Sequence, residues 1–131
     1  MDRDELMKKI LIVGFGFRSS AGFESLANAL SKVYQNQNIT AFAAPADKIR
    51  HSHLIELARY HELPLYGVAK TRLMAVDTPT KSPVILQKRQ TGSIAEAAAL
   101  GLFIGPATLL CNRQISDDGL SVCALAEGVS I

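Results

Sequence analysis

The sequence predicts a single α/β domain, a three-layer α/β/α sandwich with a mixed, mostly parallel sheet and a C-terminal antiparallel hairpin. The chain has 131 residues, about the length of one domain. With 48% hydrophobic and 20% charged residues, it is too apolar for a disordered chain and too charged for a membrane one. Strand and helix patterns alternate along its first half, which favours parallel strands covered by helices. We expect one domain over residues 1–131, with its core at about 9–127.

The first strand is predicted at residues 9–14, a β-branched run that ends in glycine. A loop is expected over 14–22. Apolar residues at helical spacing then predict a helix from Phe23 to Val33, with Ser19 or Ser20 as its N-cap.

Two further strands and two helices follow in the same alternation. The patterns predict strands at 39–43 and 63–68, a helix at 52–59 and a short helix at 68–76. This β-α-β-α-β order indicates strands that pair largely in parallel.

The second half combines an irregular basic segment with a helix and a hairpin. Residues 69–92 hold two prolines and several basic residues. Ser93 and Glu96 form a capping-box pattern at the start of a helix over 93–100, and Gly101 is expected to end it. Strands at 107–111 and 120–126 flank an Asp-Asp-Gly turn, which indicates an antiparallel hairpin.

Charge and composition argue against nucleic-acid and membrane partners. The net charge is only +2, aromatic residues make up 6% and tryptophan is absent, which is untypical of a nucleic-acid-binding surface. The longest apolar runs, 10–13 and 95–104, are shorter than the roughly 20 residues that span a bilayer. The acidic start does not fit a secretory signal. We therefore expect a cytoplasmic protein.

The cysteines and histidines do not predict a metal site or a cofactor. Cys111 and Cys123 lie in strand-like contexts and are expected to be buried, reduced thiols, with a disulfide or a two-ligand metal site as alternatives. The spacing of His51, His53 and His61 does not place two ligands on one helical face, so surface positions are expected.

The glycines after the first strand are the most suggestive local feature. Gly14 and Gly16 would let a ligand approach the backbone, and Arg18 would hold an anion there. The dinucleotide fingerprint needs a glycine where Ser19 stands, so nucleotide binding is disfavoured. A tight strand-to-helix turn with no ligand is the alternative.

Two other groups of residues have a structural and a functional interpretation. Ser93 and Glu96 fit a helix cap, while Glu96 is also the one candidate for a catalytic acid or base. Arg72, Lys81, Lys88 and Arg89 fit a solvated face. If their segment folds over Gly14, they would instead form a positive pocket for a polycarboxylate.

Several of these segments together resemble the CobE and CbiG C-terminal domain family of cobalamin biosynthesis. The resemblance extends from about residue 10 to 126. It rests on VGFGFRS at residues 13–19, on residues 54–64, on TGSIAEAAAL at residues 91–100 and on the last strand. The SIAEAAA string is its most specific part.

Two departures from the family pattern matter. The CbiG side tends to show Gly-x-Gly-Cys-Arg and a further glycine, whereas Phe17 precedes Arg18 here and Ser20 follows. In this the chain is more similar to the stand-alone CobE proteins. The family often has a lysine before the last hairpin, where this sequence has Asn112 and Arg113, so no role is carried onto Asn112.

The resemblance implies a role in building the corrin ring, on the aerobic route, through binding of a precorrin-type tetrapyrrole as carrier or accessory factor. CbiG proteins are similar to hydrolases that open a lactone of a cobalt-precorrin, so a precorrin hydrolase or lyase is one alternative. A subunit that works with other cobalamin biosynthesis enzymes is another.

The implied binding site combines positive charge with an apolar floor. Phe15 and Phe17 would face the macrocycle, and Gly14 and Gly16 would allow its close approach. Charge and polar contacts would come from the remaining residues of the predicted set: Arg18, Ser19, Arg72, Lys88, Arg89, Ser93 and Glu96.

Overall fold

Five apolar segments form one sheet in the computed structural model, which describes residues 9–79 and 93–131. Lys88 and Arg89 of the predicted site lie outside the described residues. The strand order is β3-β2-β1-β5-β4. The strands are β1 (Ile10–Phe17), β2 (Ala41–Pro45), β3 (Leu65–Val68), β4 (Ala107–Ile115) and β5 (Ser121–Gly128).

The sheet is mixed, as predicted. Strands β1, β2 and β3 pair in parallel, while β5 runs antiparallel to both β1 and β4. In the described part of the chain, four helices connect the strands: α1 (Phe23–Ser31), α2 (Ser52–Tyr60), α3 (Lys70–Ala75) and α4 (Ile94–Gly101). A short 3₁₀ turn, Ala46–Lys48, follows β2. The predicted α/β class and the C-terminal hairpin are confirmed.

The core is divided between the two faces of the sheet, because neighbouring residues of a strand point to opposite sides. Val13 and Phe15 of β1 pack with residues of α1 and α2. Ile12 packs with residues of α3 and α4 in a second cluster. Phe15 meets Phe42 of β2 edge-on, with ring centroids 4.9 Å apart.

The predicted loop at Gly14 is wrong, because β1 continues through Phe17. Its pairing with β5 runs without a break from Ile10 opposite Gly128 to Phe17 opposite Ser121. The connection to α1 therefore begins at Arg18. The N-cap of α1 is Gly22, and no side chain caps this helix, so the predicted Ser19 or Ser20 cap is also wrong.

Strand β4 is longer than predicted and irregular. It extends to Ile115, and its register with β5 shifts between Leu109 and Cys111 and again between Cys111 and Gln114. Each shift places one extra residue on β4, as a β-bulge does. The sequence interpretation ended this strand at Cys111 because polar residues follow.

The turn between β4 and β5 is pinned to α1 by buried hydroxyl groups. Ser25 of α1 lies 2.7 Å from the Ser121 hydroxyl and donates to the Asp118 carboxylate at 2.8 Å. Asp118 also accepts from Ser116 and from the backbone N–H of Leu120. These hydrogen bonds, that from Ser116 above all, lower the pKa of Asp118 below its ordinary value of 3.8.

Candidate functional site

Gly14 and Gly16 serve the packing of α4 against β1. A Cβ atom at Gly14 would lie 2.1 Å from the Ala95 carbonyl oxygen and 2.5 Å from the Ala99 nitrogen. At Gly16 it would lie 3.2 Å from the Cβ of Ile94. The backbone of β1 is thus approached by a helix rather than left open, so the expected close approach of a ligand at these glycines is not what the structure shows.

The two phenylalanines between and after these glycines have different surroundings. Phe15 is fully buried in the core, which leaves it no surface toward a ligand. Phe17, two positions later on the same face, is only half-buried, because β1 ends there. Of the two, only Phe17 retains the position that the sequence interpretation expected of it.

Phe17 lies at the centre of a cluster that joins the ends of β1 and β2. The ring of His51 meets the Phe17 ring edge-on, at a centroid distance of 4.8 Å. The Lys48 ammonium lies 5.8 Å from the centre of the same ring, within the range of a cation–π contact. The Phe17–Lys48–His51 cluster is therefore both aromatic and cationic.

A hydrogen bond ties the two connections together beside this cluster. His51 Nε2 lies 3.1 Å from the Ser19 carbonyl oxygen, which can only accept, so Nε2 carries the proton. His51 Nδ1 is buried and has no hydrogen-bond partner among the described residues. His51 is thus a partly exposed histidine, as the surface expectation allows, but the turn after β2 also folds it against the end of β1.

Arg18 and Ser19 are exposed directly after β1. Within residues 9–79 and 93–131, Arg18 forms no salt bridge. Its backbone N–H donates to the Leu120 carbonyl at 2.9 Å, which continues the pairing of β1 with the β5 side. The backbone of Arg18 is thus fixed at the carboxyl end of β1, and its side chain is exposed there.

Arg72 lies elsewhere and has a different role. Its Nε donates to the Gly101 carbonyl at 3.2 Å, and a second guanidinium nitrogen donates to the Phe103 carbonyl. These are the carbonyls at the C-terminus of α4, where a cation is favourable. Helix α4 is about 12 Å long, and its first residue, Ile94, lies beside Gly16 near the end of β1, so the length of the helix separates Arg72 from that end. The structure does not bring Arg72 to Arg18.

Ser93 is the N-cap of α4, as predicted. Its hydroxyl accepts the Glu96 N–H at 3.4 Å, and both side chains are buried. The Glu96 carboxylate accepts the backbone N–H of Arg113 at 2.9 Å, at the second register shift of β4. Glu96 therefore connects α4 to β4 inside the protein, and a catalytic role for it stays a prediction.

The two cysteines are free thiols on the last two strands. Burial raises the pKa of the Cys123 thiol well above its ordinary value of 9.0, and it also raises the pKa of Cys111. Within the described part of the chain, no group of three or more His, Cys, Asp or Glu side chains is placed to hold a metal ion. No helix there is long and apolar enough to cross a membrane.

The structure thus brings together Phe17, Arg18 and Ser19 of the predicted site, and it adds Lys48 and His51. Sequence reasoning missed these two because no motif marks them. They reach Phe17 only because β1 and β2 pair in parallel, with Gly14 opposite Ala43. The carboxyl ends of the two strands therefore lie side by side. Their position directly after a buried strand is the one local signal.

Comparisons with known proteins agree on one family. A family model described as the cobalamin synthesis G C-terminus matches residues 11–126. The crystal structure of CobE, a protein from the cobalamin (vitamin B12) biosynthetic pathway, is similar, with a TM-score of 0.76 and 27% identity over 94% of this chain and 93% of that one. The cobalamin biosynthesis protein chiG from Agrobacterium tumefaciens str. C58 has the same fold, with a TM-score of 0.63 and 24% identity over 89% of this chain and 97% of that one. No curated protein matches the sequence.

Proposed function

Since this chain belongs to the cobalamin synthesis G C-terminus family and is a cobalamin biosynthesis protein, we propose that it binds a precorrin-type tetrapyrrole intermediate. Its role in this proposal is that of a carrier or accessory factor on the aerobic route. The binding site lies at the carboxyl end of β1, around Phe17 and Arg18.

The observation that carries this proposal is the half-buried Phe17 beside the exposed Arg18, which forms no salt bridge within residues 9–79 and 93–131, at the end of a central strand. Ligands of open α/β sheets bind outside the carboxyl ends of the strands. A precorrin is a large apolar macrocycle with acetate and propionate side chains. An aromatic ring suits the macrocycle, and the planar fork of an arginine suits a carboxylate.

The rest of the predicted set contributes unequally to this proposal. Lys88 and Arg89 stay in it as further carboxylate ligands, although they lie outside the described residues. Ser19 lies on the same loop as Arg18 and is proposed to contact the ligand. Arg72 is left out, because its guanidinium is engaged at the C-terminus of α4.

The alternative of a precorrin hydrolase or lyase depends on Glu96. A general acid or base must come within hydrogen-bond reach of the substrate. The Glu96 carboxylate is fully buried and accepts a backbone N–H of β4, so a ligand at the end of β1 does not meet it in this conformation. This favours binding without turnover.

The test is an anaerobic absorbance titration of the protein with precorrin intermediates, followed over time. We expect saturable binding and no conversion to a new species. Arg18→Ala should weaken binding about tenfold, as loss of a charge-assisted contact does. Arg59→Ala is the matched control, because Arg59 is an exposed arginine in the last turn of α2.

Each other outcome has a definite meaning. Conversion of the ligand would make the protein an enzyme and return attention to Glu96. Equal affinity of the Arg18 and Arg59 variants would refute the site. Absence of binding by the parent protein would refute the proposal and favour a subunit of a corrin-making complex.

A further inference from the structure

The turn after β2, residues 46–51, lies against the end of β1. Strands β1 and β2 are parallel neighbours, so the connections that follow them leave the sheet at the same edge. His51 bridges the two connections through the Ser19 carbonyl, at 3.1 Å. Any ligand that covers Phe17 would therefore have this turn beside it.

Lys48 offers a positive charge at this place. Its ammonium group lies 5.8 Å from the Phe17 ring centre, and it forms no salt bridge within residues 9–79 and 93–131. The same turn carries one carboxylate, Asp47, which has an interaction partner of its own. Lys48 thus adds a second cation beside Phe17, which Arg18 follows directly in the chain.

Histidine is not the residue that would stabilise the fold most at position 51. Its Nδ1 is buried without a partner among the described residues, and an unsatisfied buried polar atom costs free energy that an apolar side chain would avoid. A phenylalanine would make the same edge-on contact with Phe17. What the imidazole supplies and a phenylalanine would lack is the Nε2–H donor that holds the Ser19 carbonyl.

We propose that the turn of residues 46–51 forms the second wall of the tetrapyrrole site. Lys48 binds a carboxylate of the ligand, in addition to the one that Arg18 binds. His51 is a positioning residue that fixes the backbone of Ser19, and through it the neighbouring Arg18. This inference rests on the proposed function. It adds Lys48 as a second cationic contact and His51 as the residue that fixes the position of the first, Arg18.

The Lys48 part is tested with uroporphyrin, a stable tetrapyrrole whose pyrrole rings each carry an acetate and a propionate. Lys48→Met removes the charge and keeps an unbranched apolar stem over Phe17. We expect it to weaken uroporphyrin binding about fivefold in an absorbance titration. Lys9→Met makes the same charge change at the opposite end of β1, where Lys9 pairs with Glu127, and should leave the affinity unchanged.

The His51 part is tested by a pair of variants. In His51→Gln an amide N–H replaces the Nε2–H donor, whereas His51→Phe keeps the ring and removes the donor. We expect His51→Gln to bind within about twofold of the parent and His51→Phe to bind about fivefold more weakly. Urea unfolding should show that His51→Phe is at least as stable as the parent. Weaker binding without a loss of stability is a combination that a purely structural role of His51 would not produce.

The outcomes separate this inference from the function it rests on. If Arg18→Ala weakens binding while Lys48→Met and His51→Phe bind as the parent does, the second wall is refuted and the proposed function stands. Equal losses in both His51 variants would refute the positioning role. Should His51→Phe fail to fold, His51→Asn, whose shorter amide does not reach the Ser19 carbonyl, replaces it. If the parent binds neither uroporphyrin nor a precorrin, both proposals fall.

Discussion

Replacing Gly14 with alanine is expected to destabilise the fold strongly, because the added methyl group has no room. Its carbon would lie 2.1 Å from the Ala95 oxygen, 2.5 Å from the Ala99 nitrogen and 2.9 Å from the Ala99 Cβ. Non-bonded carbon contacts lie at roughly 3.5–4.0 Å, so α4 would have to move away from β1 by about 1 Å or more.

The expected cost follows from which atoms must move. Overpacking a core costs about 1–3 kcal/mol and occasionally more. Two of the three nearest atoms at Gly14 belong to the helix backbone, which no change of rotamer can relieve, so we expect about 3 kcal/mol or more. In a domain of this size that corresponds to a fall in Tm of roughly 10 °C or more.

Two other glycines make a graded control. At Gly16 the nearest atoms are the Cβ and Cγ2 of the Ile94 side chain, at 3.2 and 3.3 Å, so Gly16→Ala should cost about 1 kcal/mol. At Gly22 a Cβ meets nothing within 4 Å, and Gly22→Ala should cost less than about 1 kcal/mol through the weaker N-cap. Urea unfolding followed by far-UV circular dichroism measures all three.

The result that would refute this reasoning is a Gly14→Ala protein within about 0.5 kcal/mol of the parent. If that variant also lost affinity for a tetrapyrrole, the close approach at Gly14 would belong to a ligand, as the sequence alone suggested. The order Gly14, Gly16, Gly22 in decreasing cost is the expected outcome.

Three further predictions concern the polar and thiol groups. Glu96→Ala should lower the free energy of unfolding by about 2–4 kcal/mol, because it leaves a backbone N–H of β4 unpaired. Glu96→Gln keeps an acceptor for this N–H and should lower the free energy of unfolding by less. Equal decreases in the two variants would contradict this prediction. The pKa of Asp118 is lowered in the folded state, mainly by the hydrogen bond from Ser116, so the unfolded chain binds more protons and the stability of the fold should decrease as the pH drops below about 3.8. Asp118→Asn should make Tm decrease less steeply with falling pH. The same dependence of Tm on pH in this variant and the parent would contradict the prediction. Cys123 is buried and its pKa is raised well above 9.0, so iodoacetamide should modify the half-buried Cys111 first and Cys123 only in urea. Mass spectrometry measures the two rates of modification. Equal rates in the native protein would contradict this prediction.

The sequence predicted the class of the fold and the types of its elements well, because these depend on local patterns. The alternation of strands and helices, the hairpin and the Ser93 cap are all present in the structure. Strand ends were less predictable. The glycines in β1 were interpreted as a loop, because the alanines that pack on them lie about eighty residues further along the chain.

The site was only partly predictable for the same reason. Phe17 ends a recognisable strand and Arg18 follows it, so both could be found from the sequence. Lys48 and His51 join them through the parallel pairing of β1 and β2, which no local pattern specifies. Arg72 looked equivalent to Arg18 as a charge, but the carbonyls that it binds at the end of α4 are distant in sequence.

The irregular β4 has a consequence for how this protein behaves at high concentration. It is an edge strand, and Leu110 and Ile115 on it are 50% and 44% exposed. A regular apolar edge of this kind invites other chains to add a strand and aggregate. The two extra residues interrupt the regular spacing of backbone donors and acceptors along β4, and the Glu96 carboxylate accepts one of the donors, the Arg113 N–H. At this position the buried carboxylate thus leaves one donor fewer for a strand of another chain to pair with.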